Sequence, residues 1–120
     1  MKHYEIHTRA FFFALQVLRM CKEITETHRE YTITRQLSRS STSVGANLRE
    51  AKNAFSKKEF IYKLTISQKE CDETIYWLEL MKNFIENDIE GMEGLLKEAN
   101  EMMKIISSIL IKAKANSVKA

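Results

Sequence analysis

Apolar residues recur every three or four positions along most of this chain, which is the spacing of one face of an α-helix. Because no proline and only three glycines interrupt the chain, long continuous helices are favoured. The pattern predicts four helices, at about residues 8–27, 34–54, 57–86 and 92–115. Four helices with short connections pack antiparallel, up-down-up-down. The predicted fold class is therefore all-α, a four-helix bundle in which residues 1–120 form a single domain.

Apolar residues cover more than half of the circumference of the first predicted helix. Its seam is predicted to consist of Phe11, Phe12, Ala14, Leu15, Leu18, Cys21 and Ile24, widened by Phe13 and Val17. A helix that packs on one core needs an apolar stripe only about 100° wide. We therefore expect this helix to contact more than one neighbour. The third predicted helix has a narrower seam, formed by Phe60, Leu64, Ser67, Cys71, Thr74, Ile75, Leu78, Met81 and Ile85.

Two helix starts carry capping signals. Thr34 precedes the second apolar pattern and is predicted to be its N-cap. Ser56 is followed three residues later by Glu59, which is the spacing of a capping box. In that motif the hydroxyl and the carboxylate each accept a hydrogen bond from a backbone N–H group that the helix leaves unpaired.

The second predicted helix carries two parallel stripes. One is apolar and consists of Leu37, Val44, Leu48 and Ala51, with Ser41 at the intervening step. The other is small and polar and consists of Ser40, Ser43, Asn47 and Glu50. Both advance by three and four residues, so each runs along one face of the helix. An ordered polar row beside a core stripe differs from a plain solvated face, and we interpret it as a second contact surface, between helices or between subunits.

The third predicted helix has a comparable second stripe, formed by Lys63, Ile66, Glu70, Glu73 and Trp77. One interpretation is a solvated face, on which Lys69 and Glu73 form an ion pair one turn apart. The other is that Glu70 or Glu73 bonds to the polar stripe of the second helix, where polar groups select register and partner. Trp77 is typical of an interface anchor, although it also suits a core.

Charge adds one candidate function. The chain has 19 basic and 16 acidic residues, a net charge of +3, which by itself does not indicate a nucleic-acid partner. Residues 28–58, however, carry seven basic and two acidic side chains, a local charge of +5. The candidates for binding RNA or DNA are Arg35, Arg39, Arg49, Lys52, Lys57 and Lys58. The alternative is that these side chains form a solvated surface that keeps the protein soluble.

The motifs of several catalytic classes are missing. No Glu-x-x-His pair suggests a di-iron centre, and no Gly-rich loop suggests a phosphate site. Neither Cys21 nor Cys71 has a nearby histidine, so both are expected to be reduced, buried and structural. His3 and His7 are expected to be solvated rather than metal ligands. We therefore expect no enzymatic activity, no cofactor, no metal and no small-molecule substrate.

The sequence also supports an expectation about where in the cell the protein is located. The longest uncharged apolar run, 10–18, is too short to cross a bilayer, and the first residues lack the layout of a signal peptide. A cytoplasmic protein without a membrane partner is expected.

The runs 36–51 and 60–81 resemble the four-helix-bundle proteins of the 23S rRNA-intervening sequence family. Those proteins carry a Gln-Leu-x-Arg-Ser pattern, then a Ser, Asn and Glu series, and later Phe, Lys-Leu, Lys-Glu and Tyr-Trp-Leu. The matching positions are Gln36, Leu37, Arg39, Ser40, Ser43, Asn47, Glu50, Phe60, Lys63, Leu64, Lys69, Glu70, Glu73, Thr74, Trp77 and Leu78. Ala51 stands where many members have Gly, and Gln68–Lys69 stands where small residues are common.

The resemblance implies an antiparallel bundle that assembles with copies of itself into a ring, usually a pentamer, and it implies no established catalytic activity. Similar bundles accompany diversity-generating reverse transcriptases and bind nucleic acid through a basic face, which is an analogy of fold alone. The leading hypothesis is a homo-oligomeric bundle that binds RNA or DNA. The alternative is a protein-binding adaptor whose partner is encoded nearby.

Overall fold

A computed structural model describes the backbone of residues 3–119 and the side chains of residues 5–116. Helix α1 spans His3–His28, α2 spans Thr32–Lys52, α3 spans Lys57–Phe84 and α4 spans Met92–Lys119. Residues 3–119 contain no strand. The all-α prediction is therefore confirmed, and each predicted helix exists with ends shifted by a few residues. None of these helices is long and apolar enough to cross a membrane.

The helices run antiparallel around a square. Between α2 and α3, Ser67 bonds to Val44 whereas the later Thr74 bonds to the earlier Ser40, so the two helices run in opposite directions. Contacts join α1 to α2, α2 to α3, α3 to α4 and α4 to α1. Among the described residues, α1 does not contact α3, so these two helices occupy opposite corners of a bundle 53 Å long.

The core follows the predicted seams of α2 and α3. On α2 the predicted apolar stripe is buried in full, and Ser41 is buried with it. On α3 the seam from Leu64 to Met81 is buried as predicted, except that Ile75 is only partly buried. On α4 the buried residues are Met92, Leu95, Ala99, Met102, Ile106, Ile109, Leu110 and Ala113. Apolar side chains in these stripes fill the space between the helices and supply most of the driving force for folding.

The predicted seam of α1 is wrong in its position. The residues that face the core are Ile6, Ala10, Phe13, Val17, Met20, Cys21 and Ile24. Phe11, Phe12 and Leu18, which the sequence placed in the seam, are exposed, whereas Cys21 and Ile24 are buried as predicted. The side of α1 is so broadly apolar that periodicity alone could not select the face that packs. Its surplus apolar residues therefore lie on the surface of the single chain.

The predicted N-cap of α2 is wrong, and the capping box predicted at the start of α3 is present in a modified form. Thr34 is not the N-cap of α2, because the helix begins two residues earlier. The Glu30 carboxylate instead accepts hydrogen bonds from the N–H groups of Thr32, Ile33 and Thr34, at 2.9–3.0 Å. At α3 the Ser56 hydroxyl accepts from Glu59 N–H as predicted.

The second half of the capping box differs by one residue. The Glu59 carboxylate accepts from the N–H of Phe55, the residue before the N-cap, rather than from that of Ser56.

Candidate interaction surfaces

The polar stripe of α2 begins as a buried hydrogen-bond network against α3. The hydroxyl oxygens of Ser40 and Thr74 are 2.8 Å apart, and both residues are fully buried. Thr74 Oγ1 also lies 2.7 Å from the Glu70 carbonyl oxygen, which only accepts. Because one hydroxyl has one proton, Thr74 donates to that carbonyl and accepts from Ser40. Two turns earlier on α3, the buried Ser67 hydroxyl donates to the Val44 carbonyl of α2 at 2.8 Å.

Arg39 continues the contact between α2 and α3 at the surface. Its guanidinium pairs with Glu70, at 3.2 Å, and with Glu73. The Trp77 indole N–H donates to the Glu73 carboxylate at 3.0 Å. Burial lowers the pKa of Arg39, but the charges and hydrogen bonds of Glu70 and Glu73 raise it overall. One interpretation of the sequence expected Glu70 or Glu73 to bond to Ser40, Ser43 or Asn47. In the structure both carboxylates bond to Arg39 instead.

The remaining residues of the two stripes pair more simply. Lys63 Nζ lies 2.7 Å from the Glu50 carboxylate, again joining α3 to α2. The hydrogen bond from Glu50 raises the pKa of Lys63. Asn47 donates to the carbonyl and the hydroxyl of Ser43 within α2. The ion pairs of these stripes thus join α2 to α3, the Asn47 bonds stay within α2, and the side chains of Glu50 and Arg39 remain partly exposed.

The six nucleic-acid candidates do not form one surface. Arg35 lies at the start of α2, whereas Lys52 lies at its end, about 26 Å away along the helix. Arg39 is held by the two carboxylates of α3. The other four lie near the turn between α2 and α3, and antiparallel packing brings the end of α4 beside them. We define the basic end as Arg49, Lys52, Lys57, Lys58, Lys112 and Lys114, all exposed and without an ion pair in the described structure.

Acidic side chains at this end are largely occupied. Glu50 pairs with Lys63, and Glu59 caps α3 by accepting a backbone hydrogen bond. Glu5 is the remaining acidic residue in this region of the described structure. The opposite end of the bundle carries most of the acids, including Glu79, Glu86, Asp88, Glu90 and Glu93. The charge of the molecule is thus separated along its long axis.

An apolar groove of about 530 Å³ runs between α1 and α2. We call it the α1–α2 groove. Its floor contains small residues of both helices, because Gly45 lacks a side chain and faces Ala10. The exposed Phe11 and Leu18 form its wall. The lining residues are His7, Ala10, Phe11, Ala14, Leu15, Leu18, Thr42, Gly45, Ala46, Arg49 and Glu50.

A larger cleft of about 800 Å³ opens between α1 and α4, and it has a different character. Arg9 crosses it, with Nε 2.8 Å from Glu98 and Nη2 2.9 Å from Glu101. The hydrogen bond from Arg9 lowers the pKa of Glu101, and the two carboxylates raise the pKa of Arg9. These charged groups neutralise one another and join α1 to α4.

The two cysteines lie away from both openings. Cys21 and Cys71 are buried free thiols, as predicted. Burial raises the pKa of Cys71 to about 12, with a smaller contribution from the charge of Asp72. Burial also raises the pKa of Cys21. Within the described part of the chain, no three His, Cys, Asp or Glu side chains group as metal ligands would, and His3 lies outside the described side chains.

Comparison with known proteins gives a consistent picture. A family model described as 23S rRNA-intervening sequence protein matches residues 2–108. Among solved structures, a protein of unknown function from the S23 ribosomal protein family of Bacteroides thetaiotaomicron is similar, with a TM-score of 0.83 and 35% sequence identity. The alignment covers 88% of this chain and 97% of that one. No curated protein matches.

Proposed function

Because the chain belongs to the 23S rRNA-intervening sequence protein family, whose matched structure has no assigned function, we propose that it is a non-enzymatic, homo-oligomeric bundle that binds nucleic acid through its basic end. The observation that carries the proposal is the clustering of six unpaired cationic side chains at one end of the molecule. RNA is the first ligand to examine, since the family is named for a ribosomal RNA insertion.

The geometry supports contact with phosphates rather than with bases. The six side chains are contributed by α2, α3 and α4, so they surround the end of the bundle instead of following one helix. Long flexible cations on a convex end contact backbone phosphates and carry little sequence information. Lys57 also lies 5.6 Å from the ring centre of Phe60, and Phe55 beside it is almost fully exposed. An aromatic ring among lysines offers a stacking partner to an unpaired base.

The test is binding of a structured ribosomal RNA fragment at several salt concentrations. Lys57→Glu combined with Lys58→Glu is expected to weaken binding at least about tenfold and to reduce the salt dependence by about two phosphate contacts. Lys97→Glu combined with Lys104→Glu is the matched control, because it makes the same charge change on exposed positions of α4. Equal losses for both variants, or no salt-dependent binding by the unmodified protein, would refute the nucleic-acid proposal.

Self-association is supported by the exposed apolar side chains. Phe11 and Leu18 are 58% and 41% exposed, and they wall a groove with an apolar floor. Contiguous exposed apolar surface on a small protein commonly marks an interaction site. The family resemblance makes a ring of five copies the expected assembly, with a mass near 70 kDa for a chain of 14.0 kDa. Light scattering that finds only single chains at micromolar concentration would exclude the homo-oligomer.

The adaptor hypothesis draws on the same apolar surface. A partner protein would then cover the groove in place of a second copy. Purified protein that stays a single chain, yet elutes from native cells in a stoichiometric complex with another protein, would favour the adaptor.

Cytoplasmic location remains part of this proposal.

A further inference from the structure

A second exposed apolar surface lies on α3. Tyr76, Leu80 and Phe84 are spaced by four residues, so they follow one another along one face of the helix. Tyr76 is 57% exposed and Phe84 is 62% exposed. We call these three residues the α3 stripe. Neither the core nor the hydrogen-bond network with α2 uses them. The stripe is about 12 Å long at 1.5 Å per residue, so it fits within the α1–α2 groove, which extends about 16 Å along α1 between His7 and Leu18.

The groove and the stripe lie on different sides of the molecule. The groove belongs to the α1 side of the square, and the stripe belongs to the outer face of α3 at the opposite corner. A twofold interface uses the same patch on both subunits. Such an interface could bury the groove against another groove, but it could not bury the groove and the stripe at once. Contact between groove and stripe is therefore head-to-tail, which leaves each copy one free groove and one free stripe for further copies.

The charges beside the two surfaces are opposite in sign. Lys22 and Arg35 border the extension of the groove next to Leu18, and Arg49 lines the groove itself. These three side chains form no ion pair in the described structure, whereas Glu50, which also lines the groove, is paired with Lys63. The stripe is bordered by the exposed carboxylates of Asp72 and Glu79 and, beyond Asp72, by the exposed Lys69, none of which has an ion pair there; its net charge is therefore negative. Complementary charge at the rim of an apolar contact steers association and selects the partner.

We infer that the α3 stripe of one copy occupies the α1–α2 groove of the next copy, so that the chain assembles head-to-tail. The inference rests on the proposed homo-oligomer and adds to it the two surfaces that meet. Head-to-tail contacts close into a ring when the rotation between neighbours divides a full turn. The small residues Gly45 and Ala46 give the groove room for the aromatic rings of the stripe.

Two variants and their mixture test the inference. The groove variant carries Phe11→Glu and Leu18→Glu, and the stripe variant carries Leu80→Lys and Phe84→Lys. All four residues are exposed in the single chain, so circular dichroism is expected to show an unchanged helical fold. Each variant alone should have the mass of one chain, 14.0 kDa. Mixed in equal amounts they should form a dimer of about 28 kDa and nothing larger, because only one intact groove and one intact stripe remain.

The alternatives give different results. If the stripe variant keeps the mass of the unmodified protein while the groove variant dissociates, groove–groove contact is indicated and the head-to-tail inference is wrong, although the homo-oligomer survives. If the unmodified protein is a single chain, both proposals fail. Ile111→Lys is the control, because Ile111 is an exposed apolar residue of α4 outside both surfaces and its replacement should leave the mass unchanged.

A charge exchange tests the same contact without altering the apolar surfaces. Asp72→Lys with Glu79→Lys should weaken assembly at least about tenfold, since like charges would then face each other. Adding Lys22→Glu and Arg35→Glu to the same chain should restore assembly. Absence of this rescue, with all variants folded, would overturn the assigned pairing of surfaces.

Discussion

At the residue scale, the most informative side chains are the small polar ones between α2 and α3. Ser40, Ser67 and Thr74 are buried, and each has a hydrogen-bond partner. A buried hydroxyl without a partner costs about 1–3 kcal/mol, more than the net gain from a satisfied one. These residues therefore stabilise one register of the two helices and penalise others. The sequence indicated an ordered contact at this position, and the structure identifies the partners.

The Ser40–Thr74 pair leads to a prediction about stability. Thr74→Val keeps the shape of the side chain but leaves the buried Ser40 hydroxyl with only a 3.4 Å contact to the Leu37 carbonyl. We expect a loss of about 1–2 kcal/mol in the free energy of unfolding, measured by urea denaturation. The double variant with Ser40→Ala should be no less stable than Thr74→Val alone, because no unpaired hydroxyl remains. Thr27→Val, at an exposed position, is the control; strictly additive losses would contradict the shared hydrogen bond.

Cys71 leads to a prediction about pH and reactivity. Its pKa of about 12 means that the thiolate, which is the reactive form, is about one part in ten thousand at pH 8. Because the raised pKa keeps Cys71 protonated at pH 8 and burial keeps the reagent away, Ellman's reagent should react with the native protein only as fast as the protein unfolds. In guanidinium chloride both thiols should react within seconds to minutes. Rapid reaction of one thiol in the folded protein at pH 8 would contradict this burial.

At the element scale, the helix ends show how local chemistry decides boundaries. Glu30 accepts three backbone hydrogen bonds at the start of α2, where N–H groups lack partners within the helix. A negative charge there also interacts favourably with the helix dipole. Thr34 was predicted to be the N-cap because threonine is common at that position. Glutamate two residues before the first helical residue is a weaker sequence signal, so only the structure revealed this cap.

Two glycines at the start of α4 lead to opposite predictions. Gly91 precedes the helix with φ = 86°, a left-handed conformation that costs other residues about 1–2 kcal/mol. Gly94 lies inside the helix, and an added Cβ there would meet no atom within 4 Å. Gly91→Ala should therefore lower the free energy of unfolding by about 1 kcal/mol, whereas Gly94→Ala should raise it by about 0.5–1 kcal/mol. Thermal denaturation of both variants gives the comparison, and shifts of the same sign would contradict it.

At the scale of the whole molecule, the charged and the exposed apolar side chains are unevenly distributed over the surface of the bundle. The α3 stripe lies apart from the basic end and from the α1–α2 groove, whereas the basic end and the groove meet at Arg49. In a closed ring every copy has the same orientation relative to the axis. Unless the bundles lie perpendicular to that axis, the basic ends of all copies gather on one rim. Assembly would then multiply the number of phosphates that a single RNA can contact.

This arrangement predicts that assembly strengthens nucleic-acid binding. The groove variant, Phe11→Glu with Leu18→Glu, retains all six cations of the basic end. As a single chain it should bind RNA more weakly and with a smaller salt dependence than the unmodified protein, with at most about five counterions released per chain. Filter binding or fluorescence anisotropy at four salt concentrations gives the slope. An unchanged slope in a monomeric groove variant would show that one end acts alone.

The sequence by itself determined the four helices, the antiparallel bundle and the core stripes of α2 and α3. Those features depend on local periodicity, which is written along the chain. The predicted seam of α1 was wrong because apolar residues cover more than half of the helix circumference, so several faces could pack on the core. Which face does so is decided by the neighbouring helices in the packed bundle. The cysteines and Arg39 illustrate the same division. The burial of Cys21 and Cys71 was predicted from the sequence, whereas the pairing of Arg39 with two carboxylates of α3 was not.

Only the tertiary structure decided that Arg35 lies far from Lys57, that Lys112 and Lys114 join the basic end, and that Glu70 and Glu73 hold Arg39. Ion pairs and surfaces of this kind unite residues that are 30 or more positions apart, and helical spacing carries no information across such distances.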